Sequence, residues 1–345
     1  MKTIGAIAIA ILMFFGKSSG ATTMDLATEE FYIPSTDHNI KLYVRNKHSK
    51  NQNKFPTDKI LLYVHGATFP AEASFDTALG GKSMMDYIAS HGYDVYMLDL
   101  RGYGRSDRPP EMQLAAEQNA PIVRTDTAVK DVDAAVKFVM QRRGVTRINL
   151  MGWSWGTSIM GWYTVQNPST VGKLVLYAPM WLFEAPPASN SPPLGAYRTV
   201  TAEAFRQRWY TGVPEDKRAG LAPDGWIDTI IQAVLSSDPT STTRNPAAVR
   251  APNGILADND DHWRSGKPLY DPSQITVPTI IVHAEWDADL PTYMAREYFS
   301  KLTRTPYKRY VEIGEGTHFV MMEKNRMQLF QAVQQFLDEK ITVGE

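Results

Sequence analysis

Cysteine is absent from the 345-residue chain. This absence excludes structural disulfides, metal sites built from thiolates, and cysteine nucleophiles. It does not identify the compartment, because an exported protein can fold without disulfides. Hydrophobic residues make up 43% of the chain. That is enough apolar material for a large core, which needs neither disulfides nor metals to hold the fold.

An excess of charge of one sign is also lacking. The chain has 36 lysines and arginines against 37 aspartates and glutamates, a formal net charge of −1, and no basic run. Proteins that bind nucleic acid or anionic lipid usually carry a basic patch. We therefore expect no nucleic-acid partner and a small molecule as the partner of any site. The oligomeric state is left open.

Long apolar runs are missing beyond the N-terminus. There, Lys2 precedes an apolar stretch at residues 4–15, and small residues lead to Ala21. This pattern predicts a secretory signal peptide over residues 1–21, cleaved before Thr22. The alternative is an uncleaved membrane anchor, but about a dozen residues are short for roughly 30 Å of hydrocarbon. We expect a secreted or periplasmic protein without a stable membrane anchor.

The remaining chain alternates short apolar runs with helical patterns. This alternation is typical of an α/β fold with a mostly parallel sheet covered by helices on both faces. Eight runs are predicted strands, at residues 31–33, 40–44, 60–64, 95–98, 148–151, 173–177, 279–282 and 310–313. Helices are predicted at residues 125–143, 158–165, 292–302 and 320–337.

One region, residues 182–272, breaks the alternation. It begins with a proline-rich loop, contains helical patterns near 203–210 and 225–235, and has no convincing buried strand. We predict a mainly helical cap here, inserted into a core formed by residues 22–181 and 273–345. Such a cap would cover the carboxyl edge of the sheet, where open α/β sheets bind ligands.

A nucleophile is predicted within the segment Gly152-Trp153-Ser154-Trp155-Gly156, which matches the pattern G-x-S-x-G. The pattern alone is weak, but here it follows an apolar strand and precedes a helix, as a nucleophile elbow requires. Its turn is so sharp that the flanking residues must be small. The alternative is a serine that caps an ordinary helix after a strand.

A serine hydroxyl needs an adjacent base, and His318 is the predicted one among seven histidines. It follows a predicted strand and lies near the C-terminus, where the chain order Ser…Asp…His expects it. The alternative is a histidine of a surface loop. His65 also lies beside the predicted site, and we assign it a structural hydrogen bond.

The histidine needs a carboxylate that orients it. Glu285, Asp287 and Asp289 all follow a predicted strand; we choose Asp287, with Asp289 second. Acidic loops also bind calcium, so a metal reading of this group, or of residues 258–261, is open. The latter run lacks the glycine and closing glutamate of a calcium loop, and we interpret it as a solvated loop. We expect no metal and no cofactor.

Acyl transfer also needs N–H groups where the carbonyl oxygen becomes negative. Trp155, directly after the predicted nucleophile, supplies one N–H in such elbows. Ala67, in the turn after the strand at 60–64, is the predicted second donor. The alternative for Ala67 is a plain tight turn.

Taken together, these segments resemble the α/β-hydrolase superfamily. The matching pieces are His65-Gly66, the D-x-R-G-x-G-x-S loop at 99–106, the elbow at 152–156, Glu285-Trp286-Asp287 and Gly316-Thr317-His318. The resemblance implies a serine hydrolase with an eight-stranded, mostly parallel sheet, and a structural role for the loop at 99–106. Epoxide hydrolases and haloalkane dehalogenases of this fold have aspartate at the elbow. The elbow is also similar to that of prolyl iminopeptidases, but their H-G-G-P-G loop is absent, since residues 65–70 read HGATFP.

Aromatic residues are frequent in the cap and flank the elbow. Most of them are expected in the core, but Trp153 and Trp181 are at elbow and strand-end positions, and we predict that they border the substrate. An apolar pocket favours an acyl or aromatic group. We therefore expect an ester with a hydrophobic part as substrate. An aminopeptidase or amidase, with Glu184 or Glu203 binding the substrate amine, and a ligand-binding receptor that retains the triad stay open.

Overall fold

The computed structural model describes residues 25–37, 39–184 and 193–341. The predicted signal peptide at 1–21 and its cleavage point before Thr22 lie outside these ranges. No helix within them has the length and apolar character needed to cross a membrane.

Eight of the ten strands form one sheet, in the order β1-β2-β4-β3-β5-β6-β9-β10. β2 runs antiparallel to both of its neighbours, and all other pairs are parallel. The predicted mostly parallel eight-stranded sheet is thereby confirmed. The strands are β1 (Leu26–Pro34), β2 (Lys41–Ser49), β3 (Ile60–Val64), β4 (Asp94–Leu98), β5 (Ile148–Trp153), β6 (Val171–Tyr177), β7 (Tyr197–Thr201), β8 (Ala248–Pro252), β9 (Thr279–Ala284) and β10 (Lys308–Ile313).

The central strands are buried along their whole length. Every residue of β3, β4 and β5 is buried, which is why their sequences are continuous apolar runs rather than alternating ones. β3 lies between β4 and β5, and Val64 at its end pairs with Gly152 near the end of β5. This register brings the turn after β3 beside the segment that contains Ser154.

Helices cover both faces of the sheet. They are α1 (Ala71–Phe75), α2 (Met84–Ala89), α3 (Thr125–Arg143), α4 (Trp155–Gln166), α5 (Ala202–Trp209), α6 (Glu215–Arg218), α7 (Trp226–Ser236), α8 (Gly254–Asp258), α9 (Thr292–Lys301) and α10 (Arg326–Asp338). α3 has the predicted bounds and ends at Gly144, whose φ of 65° suits a glycine. The predicted helix at 320–337 is wrong in its first turns. A short 3₁₀ turn, Val320–Met322, is followed by Glu323 in extended conformation, and α10 begins only at Arg326.

The region 182–272 contributes no described strand to the large sheet, but the prediction that it lacks strands is wrong. β7 and β8 form a two-stranded antiparallel sheet beside α5–α8. β7 alternates little between buried and exposed residues, and its partner lies far along the chain, so no local pattern reveals the pair.

The prediction of a solvated loop at 258–261 also needs correction. These residues end α8 and begin a π-helical turn, Asn259–Trp263. Asp258 is buried, and its Oδ2 accepts hydrogen bonds from the backbone N–H of Thr125 at 2.7 Å and from the Thr125 hydroxyl at 2.6 Å. The carboxylate therefore caps α3, whereas Asp260 and Asp261 are exposed.

The loop at 99–106 is held by its own side chains. Buried Asp99 accepts from the N–H of Ala71 at 2.8 Å and of Arg105 at 2.9 Å. The Ser106 hydroxyl donates to the Asp99 carbonyl at 2.5 Å. A Cβ on Gly104 would lie 2.0 Å from Asp99 Oδ2, so only glycine fits there. These contacts fit the structural role that the resemblance implies.

Candidate active site

Ser154 lies in the turn that joins β5 to α4. Its φ of 57° and ψ of −124° are unusual for a residue with a side chain, and such a conformation costs about 1–3 kcal/mol. A Cβ on Gly152 would lie 2.2 Å from the Gly156 carbonyl oxygen, and one on Gly156 would lie 2.6 Å from the Val64 carbonyl oxygen. Both glycines are therefore required sterically, and the turn has the geometry of a nucleophile elbow.

Two backbone segments border Ser154. The turn after β3 packs directly on it, since a Cβ on Gly66 would lie 2.8 Å from Ser154 Cβ and 3.3 Å from Ser154 Oγ. Ala67 follows Gly66 in that turn. Trp155 is the first residue of α4, so its N–H has no acceptor within the helix. The structure thus brings both predicted oxyanion donors to the neighbourhood of the Ser154 hydroxyl.

His318 and Asp287 form a buried pair. His318 follows β10, Asp287 follows β9, and the Nδ1 of His318 is 2.8 Å from Oδ2 of Asp287. The other oxygen of Asp287 accepts from the Leu290 N–H at 2.9 Å. The exposed fractions of His318 and Asp287 are 2% and 4%. Because Nδ1 donates to the carboxylate, Nε2 is the nitrogen left to accept a proton.

The backbone of His318 is fixed by two donors. Its carbonyl oxygen accepts from Trp153 Nε1 at 3.1 Å and from the Tyr177 hydroxyl at 2.7 Å. The Tyr177 carbonyl in turn accepts from the N–H of Ser154 at 2.9 Å. Trp153 and Tyr177 therefore tie the histidine loop to the serine turn.

Asp289 is engaged elsewhere. Arg208 of α5 donates to it from Nε at 2.9 Å, and Nη2 lies 2.9 Å from the same oxygen. Burial tends to raise the pKa of Asp289, but the charges of Arg208 and His318 hold it below its ordinary value. The third acid, Glu285, is exposed and accepts from the Glu315 N–H. Of the three predicted candidates, only Asp287 is hydrogen-bonded to the histidine.

The same contacts argue against a metal ion bound by Asp287, Asp289 and His318. Ligand atoms of Asp287, Asp289 and His318 lie within 4.8 Å of one another. However, the Nδ1 of His318 and a carboxylate oxygen of Asp287 already bond each other, and Arg208 neutralises Asp289. A cation would have to displace a guanidinium and break the histidine–aspartate bond.

His65 has the structural hydrogen bonds that the sequence suggests. Its Nε2 accepts from the Leu100 N–H at 3.1 Å, so Nδ1 carries the proton and donates to the Gly66 carbonyl at 2.6 Å. Burial lowers the pKa of His65 to about 4, although the Gly66 bond opposes this. The neutral ring therefore holds the turn after β3.

An aromatic cluster lies between the cap and the core at this site. We define it as Phe69, Trp153, Phe205, Trp209 and Phe319. The ring centroid of Phe69 is 5.0 Å from that of Phe205 and 5.3 Å from that of Phe319, and Trp209 stacks on Phe319 at 4.5 Å. Trp153 lies 5.4 Å from the His318 ring. The surroundings of His318 are therefore largely apolar.

The tryptophans predicted from the sequence have different positions. Trp153 contacts His318, as just described. The Trp155 side chain lies in the core, where its Nε1 donates to the Thr125 hydroxyl at 2.8 Å, so only its backbone reaches the site. Trp181 packs edge-on against Tyr298 of α9 at 5.3 Å. Glu184 and Glu203 are exposed.

Glu323 was missed by the sequence reasoning. Its carboxylate accepts from the Thr317 N–H at 2.9 Å, the Thr317 hydroxyl at 2.5 Å and Trp209 Nε1 at 2.8 Å. Burial raises the pKa of Glu323 to about 7, against the lowering effect of these bonds. No motif marks this residue. By contrast, Phe319 directly follows His318, and its position beside a predicted site residue was a usable signal.

Ser154 is largely buried, with an exposed fraction of 6%. Two cavities of about 580 and 800 Å³ are both lined by Glu203 and Arg206, and neither Ser154 nor His318 lines either of them.

The model of the alpha/beta hydrolase fold family matches residues 59–325. Lipase member M of Homo sapiens is 26% identical over 154 residues, which cover 44% of this chain and 34% of that protein. Lysosomal acid lipase/cholesteryl ester hydrolase of Homo sapiens is 21% identical over 132 residues, which cover 38% and 33%. The chain spans about a third of the length of the curated relatives it matches. A solved structure of a serine hydrolase involved in carbazole degradation is similar in fold, with a TM-score of 0.61, 16% identity, and coverage of 90% of this chain and 99% of that one.

Proposed function

This chain belongs to the alpha/beta hydrolase fold family, and on that premise we propose that it is a serine hydrolase that cleaves carboxylic esters through an acyl-enzyme. Ser154 is the nucleophile, His318 the base and Asp287 the acid that orients it. One observation carries the proposal. Ser154 occupies a sterically enforced elbow, while His318 and Asp287 are paired at 2.8 Å at the same carboxyl edge of the sheet.

The mechanism follows from these positions. Ser154 Oγ attacks the ester carbonyl while His318 Nε2 takes its proton, and Asp287 stabilises the resulting imidazolium. The oxygen that becomes negative is stabilised by the N–H groups of Ala67 and Trp155. His318 then gives the proton to the departing alcohol. In the second half, His318 activates water, which releases the acid and restores the Ser154 hydroxyl.

A hydrophobic or aromatic part of the substrate is supported by the aromatic cluster. Two of its five buried rings, Trp153 and Phe319, lie 5.4 and 5.5 Å from the His318 ring, and such an apolar surface favours an acyl or aromatic group over a sugar or a nucleotide. Two curated relatives are named as lipases, one of them also as a cholesteryl ester hydrolase. These names support an ester rather than an amide as the substrate. Trp153 is the aromatic residue that we place nearest the acyl group.

We also propose that the protein is exported. The support is the leader-like sequence at residues 1–21, with Lys2, the short apolar stretch and the small residues before Thr22. Export would place the enzyme among extracellular or periplasmic esters.

The first test combines covalent labelling with turnover. A fluorophosphonate probe should label the wild-type protein and the Ser169→Ala variant, which changes an exposed serine, but not Ser154→Ala. 4-Nitrophenyl esters should be hydrolysed faster than amino-acid 4-nitroanilides. Ser154→Ala and His318→Ala should each remove nearly all turnover, and the double variant should lose little more, since the two residues act as one unit.

Three results would contradict the proposal. If Ser154→Ala were labelled by the probe and kept full activity, the assignment of Ser154 as nucleophile would be refuted. A preference for the anilides would make the protein a peptidase or amidase, and neither labelling nor turnover in the wild type would indicate a ligand-binding protein.

A further inference from the structure

Arg198 of β7 has an unusual environment for a partly buried guanidinium. It donates to three neutral oxygens, namely the Pro252 carbonyl at 2.8 Å, Asn253 Oδ1 at 3.4 Å and the Thr68 hydroxyl at 2.7 Å. Among the residues that the structure describes, no carboxylate forms an ion pair with it. Burial and the neighbouring charge of Arg208 lower the pKa of Arg198.

The guanidinium of Arg250, which is more deeply buried, shows the usual arrangement. Arg250 of β8 donates from Nη2 to Asp238 at 2.9 Å and from Nε to the same carboxylate at 3.0 Å. Buried charges are normally paired in this way, because desolvation of an unpaired ion is costly. Arg198 therefore has a charge that its described protein neighbours leave uncompensated.

The position of Arg198 connects it with the serine. Its Nη2 bonds Thr68, which follows Ala67 in the turn after β3 and has a φ of 82°. Consecutive Cα atoms are about 3.8 Å apart, so Thr68 lies within about 8 Å of Gly66. Gly66 packs on Ser154. The uncompensated guanidinium is therefore bound to the same short turn that contributes the proposed oxyanion donor.

A second polar group with an unused donor is coupled to Arg198. The hydroxyl of Tyr103 is buried and donates no hydrogen bond to a described residue. Burial raises the pKa of Tyr103 to about 12, opposed by the charge of Arg198 and by a hydrogen bond from the backbone of Thr68, so the hydroxyl keeps its proton at neutral pH. A buried O–H without an acceptor is costly, and a ligand that accepts from it would recover that cost.

The available donors have the geometry that a carboxylate accepts. The Nε–H of Arg198 has no acceptor among the described residues, and Nη2 gives only the bond to Thr68. Nε and Nη2 form the edge of a guanidinium that binds two oxygens of one carboxylate side by side. The Tyr103 hydroxyl adds a third donor.

We propose that Arg198 and Tyr103 bind a carboxylate of the substrate, so that the preferred ester is a half-ester of a dicarboxylic acid. This inference rests on the proposed ester hydrolysis at Ser154, and it specifies the acid part of the substrate. The acyl chain extends from the scissile carbonyl beside Ala67, along the aromatic cluster, to the guanidinium. No change in the chemistry at Ser154 is involved.

The test compares acid and neutral esters of matched length. The 4-nitrophenyl half-esters of succinate, glutarate and adipate are each compared with their methyl diesters. For the best chain length, we expect kcat/KM of the wild type to favour the acid by about tenfold or more, since hydrogen bonds to a charged group are worth about 1.5–3 kcal/mol. In Arg198→Met this ratio should fall to about one, with most of the change in KM.

Three further variants separate binding from a structural role. Arg206→Met removes an exposed cap arginine and should keep the wild-type ratio. Arg198→Lys keeps the charge and should retain part of the preference. Tyr103→Phe removes only a hydroxyl that donates to no described residue, so it should fold normally and lower the ratio about threefold to tenfold. An equal loss on both esters in Arg198→Met, or an unchanged ratio in Tyr103→Phe, would overturn the proposal.

Direct binding keeps this test independent of turnover. In the Ser154→Ala background, monomethyl glutarate and monomethyl adipate are titrated calorimetrically with and without Arg198→Met. Binding of either acid that weakens about tenfold or more in the double variant supports the carboxylate site. Equal binding, or none, overturns it. If the wild type hydrolyses no ester while this binding difference is present, the proposed function fails and the carboxylate site stands.

Discussion

Glu323 gives the folded protein a pH dependence that can be calculated from its environment. A glutamate ordinarily has a pKa of 4.5, and burial raises the pKa of Glu323 to about 7. The folded state therefore holds this proton more tightly than the unfolded state does. The stability that the proton confers is complete below pH 4.5 and is lost as the pH rises to about 7.

The magnitude follows from the two pKa values. Each pKa unit is worth about 1.4 kcal/mol, so the whole loss is about 3 kcal/mol, and most of it falls between pH 5 and pH 8. Glu323→Gln cannot ionise. Its carbonyl can still accept from Trp209 Nε1 and the Thr317 hydroxyl, although the bond from the Thr317 N–H is lost. At low pH the variant is therefore less stable than the wild type by about 1–3 kcal/mol. Its free energy of unfolding does not fall with rising pH through this residue.

The assay is guanidinium unfolding of wild type and Glu323→Gln at pH 5 and pH 8, followed by tryptophan fluorescence. The free energy of unfolding of the variant minus that of the wild type should increase by about 2–3 kcal/mol from pH 5 to pH 8. Glu117→Gln, at an exposed position, should show no such increase. If the two proteins kept a constant difference at both pH values, Glu323 would be ionised throughout, and its burial would not govern its charge.

Four further outcomes are expected. Asp287→Asn should lower kcat about 10⁴-fold with the fold intact, because His318 loses its orienting partner, whereas Asp289→Asn should cost far less; the reverse order, measured with a 4-nitrophenyl ester, would move the assignment. Gly66→Ala should lower kcat by at least tenfold while circular dichroism stays unchanged, because the added methyl would lie 3.3 Å from Ser154 Oγ. Full activity would show that the turn can shift to accommodate the methyl. Activity should survive EDTA, and a complete loss restored by metal would reveal a required ion. Mature protein from a bacterial host should begin near Thr22 by N-terminal sequencing; soluble cytoplasmic protein that retains Met1 would contradict export.

Local patterns predicted the elements that are stabilised locally. The bounds of α3 were predicted to the residue, since its apolar spacing and the terminal glycine lie within one continuous segment. The central strands β3, β4 and β5 were found because strands buried on both faces are apolar along most of their length. The elbow was found because its steric demands fall on neighbouring residues.

Features that depend on distant partners were not predictable in the same way. The β7–β8 pair joins residues about fifty positions apart. Asp287 and Asp289 are equivalent in sequence, and only the fold separates their roles, since Asp287 bonds His318 whereas Asp289 pairs with Arg208 on a cap helix. Asp258 was wrongly predicted in a solvated loop, because its partner Thr125 begins a helix far earlier in the chain. Arg198 is marked by the absence of an acidic neighbour, which no sequence pattern expresses.

The attachment of α5 has a consequence for how the enzyme admits substrate. This one helix contributes Phe205 and Trp209 to the aromatic cluster, Arg208 to Asp289, and the Trp209 N–H to Glu323. Moving α5 away from Ser154 would break contacts to the loop of the acid and the loop of the base together. We therefore expect opening to be a concerted step rather than a gradual widening. For good substrates, that step rather than bond cleavage would set the maximum rate, so kcat would depend little on the leaving alcohol and strongly on solvent viscosity.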